Sequence, residues 1–168
     1  MDSYEIRRKF GDKVINHAKR IIGLCIVENA SFETDTKQAT DLVVDKKLSI
    51  ALRTRQYKYL EQYQYEFTIR SSINSNARTE LSKILSGYGD WMFYGFVSED
   101  ETSICQYMII DLNVFRDCYE AKSIQPIQRA NKLDKDGYER TTQFMAFDIR
   151  KCPKNLILFK NFNYDHQR

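Results

Sequence analysis

Residues 48–55, LSIALRTR, and residues 65–71, YEFTIRS, decide the fold, because both alternate between apolar and polar positions. Successive side chains on a strand point to opposite faces, so residues two apart share a face. In the first stretch Ile50 and Leu52 share an apolar face, and Ala51, Arg53 and Arg55 take the other. In the second, Phe67 and Ile69 mark a core side, while Glu66, Thr68 and Arg70 point away from it. A third segment, 40–44, sets Asp41 opposite in phase to Leu42 and Val44. The pattern predicts adjacent strands in one sheet, with Asp41, Arg53 and Glu66 on the same polar face. Asp45-Lys46-Lys47 reads as the tight turn of a hairpin joining 40–44 to 48–55.

Outward from these strands, residues 2–22 read as an amphipathic helix. Ile6, Phe10, Val14, Ala18 and Ile21 fall on one face at three- and four-residue spacing. Asp2 and Glu5 suit a capping box, and Gly23 suits a stop. A short strand at 24–27 and a polar loop at 28–39 follow. Residues 79–86 predict a short helix that carries Glu80 and Lys83 near one face and ends at Gly87. Apolar strands at 91–97 and 104–110 flank the acidic turn 98–101, and Asp111 is the cap of a helix over 112–122. Pro126 falls in an irregular segment, 131–140 is a charged loop, and strands at 142–149 and 156–159 close the chain. This order predicts an α/β (α+β) domain over 1–168, a mixed sheet flanked by helices.

Composition sets bounds on function. A chain of 168 residues, 42% hydrophobic and 29% charged, with six Gly and two Pro, is that of one globular domain and not of a disordered segment. Its 26 basic and 23 acidic residues leave a net charge of +3, which permits a basic groove without requiring one. Cys25, Cys105, Cys118 and Cys152 form no CxxC pair, and the two histidines, His17 and His166, supply no zinc-type spacing. Cys25 and Cys105 sit in apolar, strand-like runs and read as buried thiols. The start, MDSYEIRRKF, holds no apolar signal core, so we expect a cytoplasmic protein with reduced thiols. Gly87-Tyr88-Gly89 lacks the Lys and the spacing of a phosphate-cradling loop, and 134–139 lacks the spacing of a calcium loop.

The polar face carries the chemistry. Its cations are arginines, whose forked guanidinium suits phosphate or carboxylate. Tyr57, Tyr59, Tyr63 and Tyr65, between the two deciding strands, supply rings for packing or for stacking on bases. An antiparallel sheet with one wet side and cross-strand ion pairs would use the same residues.

The helix, the strands and Thr40-Asp41-Leu42-Val43-Val44, taken over residues 4–97, resemble the PD-(D/E)XK nuclease superfamily. In that family an Asp on one strand and an acid-x-Lys triplet on the next bind a divalent metal. The Lys assists the attacking water, and a first-helix Glu sometimes joins. The resemblance implies a restriction-endonuclease-like core that uses Mg²⁺ to cut DNA or RNA. Asp41 and Glu66 would be its metal ligands, with Arg53 beside them as a catalytic cation; Arg55, Arg70 and Lys83 would hold substrate, and Glu5 would stand for the helix acid. This chain departs from the pattern at Ala51-Leu52-Arg53, where the acid is missing and Arg replaces Lys. Glu66-Phe67-Thr68 would restore the acid from a migrated position. The segments IALRTR, YEFTIRSS and WMFYGF also resemble small proteins of bacteria and their phages, some suspected to be nuclease-like. Three functions follow: a metal-dependent nuclease, a degenerate module that binds nucleic acid or a protein in a phage or bacterial complex, and a structural subunit.

Overall fold

The computed structural model describes residues 3–26, 28–29, 42–43, 48–72, 78–130 and 143–162. Strand β5 (Trp91–Val97) organises them. Its run WMFYGFV is apolar at nearly every position, as a strand covered on both faces must be. β5 pairs antiparallel with β6 (Ile104–Asp111) on one side and parallel with β3 (Ile50–Arg55) on the other. β9 (Ile157–Asn161) adds to β6 and completes a mixed four-stranded sheet in the order β3-β5-β6-β9. A second, antiparallel sheet has the order β4-β8-β7, from β4 (Glu66–Ser72), β7 (Ile127–Ala130) and β8 (Gln143–Asp148). β1 (Glu28–Asn29) and β2 (Leu42–Val43) form a two-stranded pair.

Helix α1 (Ser3–Ile26) covers one face of the four-stranded sheet. Val14 and Ala18 are buried against Phe93, Val97, Ile104 and Ile109, with Phe10, Ile21 and Cys25 packed around them. Gly95 permits this closeness: a Cβ there would lie 2.9 Å from Phe93 Cε1 and 3.1 Å from Ile104 Cγ2. His17 fixes the register, its Nδ1 accepting the Ile104 N–H at 2.8 Å. The other face carries Met92, Tyr94, Phe96, Met108 and Ile110. They pack against Phe67, Ile69 and Phe147 of the second sheet, and against Leu112 and Phe115 of helix α4 (Leu112–Glu120). Asp111 caps α4 as its position predicts, accepting from the N–H groups of Asn113 and Val114. Between β3 and β4 lie a 3₁₀ turn (Tyr57–Tyr59) and the short helix α2 (Leu60–Tyr63); helix α3 (Glu80–Leu85) follows β4.

The expected mixed sheet flanked by helices is present, and several local expectations need correction. Gly23 does not end α1, which runs through the segment expected to be a strand, because Ile22 and Cys25 extend the helical apolar stripe past it. The expected loop at 28–39 contributes Glu28–Asn29 to a strand. The expected hairpin between 40–44 and 48–55 is replaced by two other pairings: Leu42–Val43 pairs with β1, and β3 pairs with β5. β5 needs a strand on each side to satisfy its backbone, and β3 supplies one. Nor do Arg53 and Glu66 share a sheet, since Glu66 pairs with Asp148 on β8. Alternation assigns faces within a strand and is silent on which strand lies beside it. β7 begins directly after Pro126, a position where a strand tolerates proline, and so was hidden in an irregular stretch. The charged loop expected at 131–140 lies outside the described residues.

Candidate functional site

The two polar strand faces meet across the seam between the sheets. Arg53 projects from β3 on the side of Ala51, as its alternation requires, and its Nη1 donates to the Thr68 carbonyl of β4 at 3.0 Å. The same nitrogen forms an ion pair with Glu80, in the first turn of α3. Glu80 Oε2 also accepts the Arg70 N–H at 3.0 Å, so one carboxylate joins β3, β4 and α3. The side chains of Arg53 and Glu80 are 17% and 28% exposed, enough burial for the pair to be held and enough access for a ligand to reach it. The guanidinium of Arg53 lies 5.3 Å from the centroid of the Phe144 ring, and that of Arg70 6.0 Å. Thr68, buried behind them, shares a hydrogen bond of 3.1 Å with the Tyr94 hydroxyl.

In front of this seam is an open pocket of about 660 Å³. Among the described residues its basic lining is Arg53, Arg70, Arg78 and Lys83, and its single acidic residue is Glu80. Phe10, Ile50, Leu52, Tyr88 and Leu112 supply apolar surface to the same space. The Tyr88 end is held by Arg116 of α4, which donates to the carbonyls of Ile84 at 3.1 Å and Gly89 at 3.2 Å. Gly89 takes φ +78°, a left-handed turn suited to glycine, and brings the wall against Leu112.

Glu66 and Arg55 belong to a second cluster. Arg129 Nη2 donates to both Glu66 carboxylate oxygens, at 2.8 and 2.9 Å. The Arg129 guanidinium lies 5.0 Å from the Tyr63 ring centroid; that of Arg55 lies 4.7 Å from Tyr63 and 4.9 Å from Tyr59. These tyrosines cover arginines, which explains why they cluster between β3 and β4. At the end of β8, Asp148 is bonded by Arg150 through Nε and Nη2, and this pairing holds its carboxyl below the usual range. Burial pushes the Cys25 and Cys105 thiols up and that of Cys152 to about 11, so all three stay protonated and weakly nucleophilic at neutral pH. Cys25 does so on a helix, not on the strand expected for it.

Of the residues named from the sequence, the pocket gathers Arg53, Arg70 and Lys83, and also Glu80. It does not gather Glu66 or Arg55. Asp41 and the Glu5 side chain lie outside the described part of the structure. The sequence pattern gives no signal for Arg78, Arg129 or Tyr88: Arg78 lies between strand and helix, Arg129 on β7 after Pro126, and Tyr88 in a turn between two glycines.

A divalent ion fits these described residues poorly. Magnesium favours carboxylate oxygens and keeps several waters. The Glu66 carboxylate is occupied by Arg129 and that of Glu80 by Arg53 and the Arg70 amide. Among the described residues, no three His, Cys, Asp or Glu side chains converge on one point. The donor set in the pocket suits an anion. The chain matches no protein-family model, no curated protein and no solved structure.

Proposed function

We propose that this protein is a cytoplasmic module that binds nucleic acid through its phosphates, related to restriction-endonuclease-like domains but not cutting what it holds. One observation carries the reading: Arg53, Arg70, Arg78 and Lys83 line a pocket that contains a single carboxylate among the described residues. Arg78 and Lys83 have no acidic partner among the described residues, and both are exposed at the rim. Phosphate oxygens are the natural ligands of such a set, because guanidinium groups bind them through paired, charge-assisted hydrogen bonds. The described carboxylates nearest this face, Glu80 and Glu66, are each bonded to an arginine, which supports holding over hydrolysis.

A labelled oligonucleotide titrated at several salt concentrations tests the proposal. Binding should weaken linearly on a log–log plot, because counterions are released as phosphates are neutralised. Arg78→Ala should lower that slope by about one unit. A parent protein that binds neither DNA nor RNA at low salt would overturn the reading and favour the structural subunit. Incubation with Mg²⁺ or Mn²⁺ under the same conditions should leave the oligonucleotide intact.

A further inference from the structure

The pocket has two chemical sides, and strand alternation generates them. It runs along six consecutive residues, Ser49 to Thr54, and so follows the edge of β3. β3 is the terminal strand of its sheet, which leaves that edge without a strand neighbour among the described residues. Arg53 points to one side of the edge, toward Arg70, Arg78 and Lys83. Ile50 and Leu52 point to the other, where Ile50 joins the cluster that Phe10 packs against. Leu52 is 38% exposed and Tyr88 63% exposed, large apolar surfaces that the fold leaves uncovered. An occupant therefore meets the cations together with apolar surface from Ile50 and Leu52, and the exposed ring of Tyr88 stands in the turn beside Lys83, whose carbonyl accepts the Tyr88 N–H at 3.2 Å.

We infer that the unit bound here is a single unpaired nucleotide, with its phosphate on the basic side chains and its base against the exposed ring of Tyr88. This rests on the phosphate-binding reading above and names its ligand class. A nucleotide has the required division, a charged end and a flat apolar face. The volume, about 660 Å³, lies within the usual range for small-molecule pockets of roughly 300–1,000 Å³. A duplex presents phosphates outward and keeps its bases stacked inside, so it would reach Arg78 and Lys83 but leave Tyr88 unused. A single strand can place a base on the ring, and base–aromatic stacking combined with a basic groove is how single strands are held without sequence preference.

The test uses the full chain and three fluorescent probes: a short single-stranded oligonucleotide, its duplex, and an abasic oligonucleotide of equal length. The single strand should bind at least tenfold tighter than the abasic probe, and tighter than the duplex. Tyr88→Ala should weaken the single strand by about fivefold or more, leave the abasic probe unaffected, and leave the salt slope unchanged. Its ring is exposed and its carbonyl still meets Arg116, so folding should survive, as a thermal melt will check. Arg78→Ala should weaken all three probes and flatten the slope. If the abasic probe binds as tightly as the single strand, or Tyr88→Ala costs nothing while Arg78→Ala does, the phosphate reading stands and the nucleotide inference falls. If no probe binds at low salt, both fall. A short acidic peptide that displaces the single strand at comparable concentration would also overturn the inference, in favour of a peptide paired along β3.

Discussion

Arg53 reaches out of its own sheet to the Thr68 carbonyl, 3.0 Å away in the other. One guanidinium therefore joins two sheets and, through Glu80, the helix that walls the pocket. Arg53→Ala strands the half-buried Glu80 carboxylate and should destabilise the fold by about 2 kcal/mol, between the values for exposed and buried pairs. The double variant Arg53→Ala/Glu80→Ala should recover part of that loss. Urea unfolding of the four proteins in the cycle measures the coupling; a value near zero would mean that the pair does not hold the seam.

A second tie links α1 to the β5–β6 hairpin. His17 Nδ1 accepts the Ile104 N–H, which requires that nitrogen to be unprotonated. His17→Phe preserves a ring but leaves the amide without an acceptor, so it should cost about 1–3 kcal/mol. Hydrogen exchange at the Ile104 amide should accelerate in the variant. Unchanged protection would show that another group or water satisfies it.

The helices, both long apolar strands and the Asp111 cap were legible because each depends on local periodicity or on one side chain's chemistry. The faces of β3 and β4 were legible for the same reason. What was not legible was partnership. Nothing in LSIALRTR says that its backbone bonds go to residues 91–96, some forty positions onward, instead of to the segment just before it. The site inherited that gap. Arg53 and Glu66 have matching phases on strands close in sequence, yet their carboxylate and guanidinium partners, Glu80 and Arg129, come from elsewhere. Tyr88 and Arg78 reach the pocket because the fold brings the segments that hold them beside β3, which no local pattern encodes.

The Asp148–Arg150 contact predicts a pH effect of known sign. Hydrogen bonding to Arg150 lowers the Asp148 carboxyl in the folded protein. A depressed carboxyl contributes stability above its unfolded value, and that contribution is lost as pH falls through the folded value. Arg150→Ala should move the Asp148 midpoint upward in a carboxyl-carbon NMR titration, and should make stability less sensitive to acid below about pH 4. A midpoint unchanged by the substitution would assign the shift to something other than Arg150.

Glu80→Gln separates a binding pocket from a cutting one. Gln keeps nearly the same shape, and its carbonyl oxygen can still accept the Arg70 N–H. The change removes the one negative charge that the described residues place in the pocket and releases Arg53 from its ion pair. If the pocket holds phosphate, affinity for a single-stranded oligonucleotide should rise, by about threefold to tenfold at low salt, since removing a nearby repelling charge in an open, solvent-screened pocket is worth about 1 kcal/mol. The salt slope should steepen as Arg53 gains a phosphate contact. If the pocket holds phosphate without a metal, excess chelator should change neither result. A metal-dependent enzyme would behave in the opposite way: loss of a carboxylate would reduce activity, and chelator would abolish it. The substitution is expected to lower stability modestly by unpairing Arg53, so binding should be measured well below the melting temperature of the variant. Weaker binding by a folded Glu80→Gln protein would show that Glu80 serves the ligand, and not merely the fold.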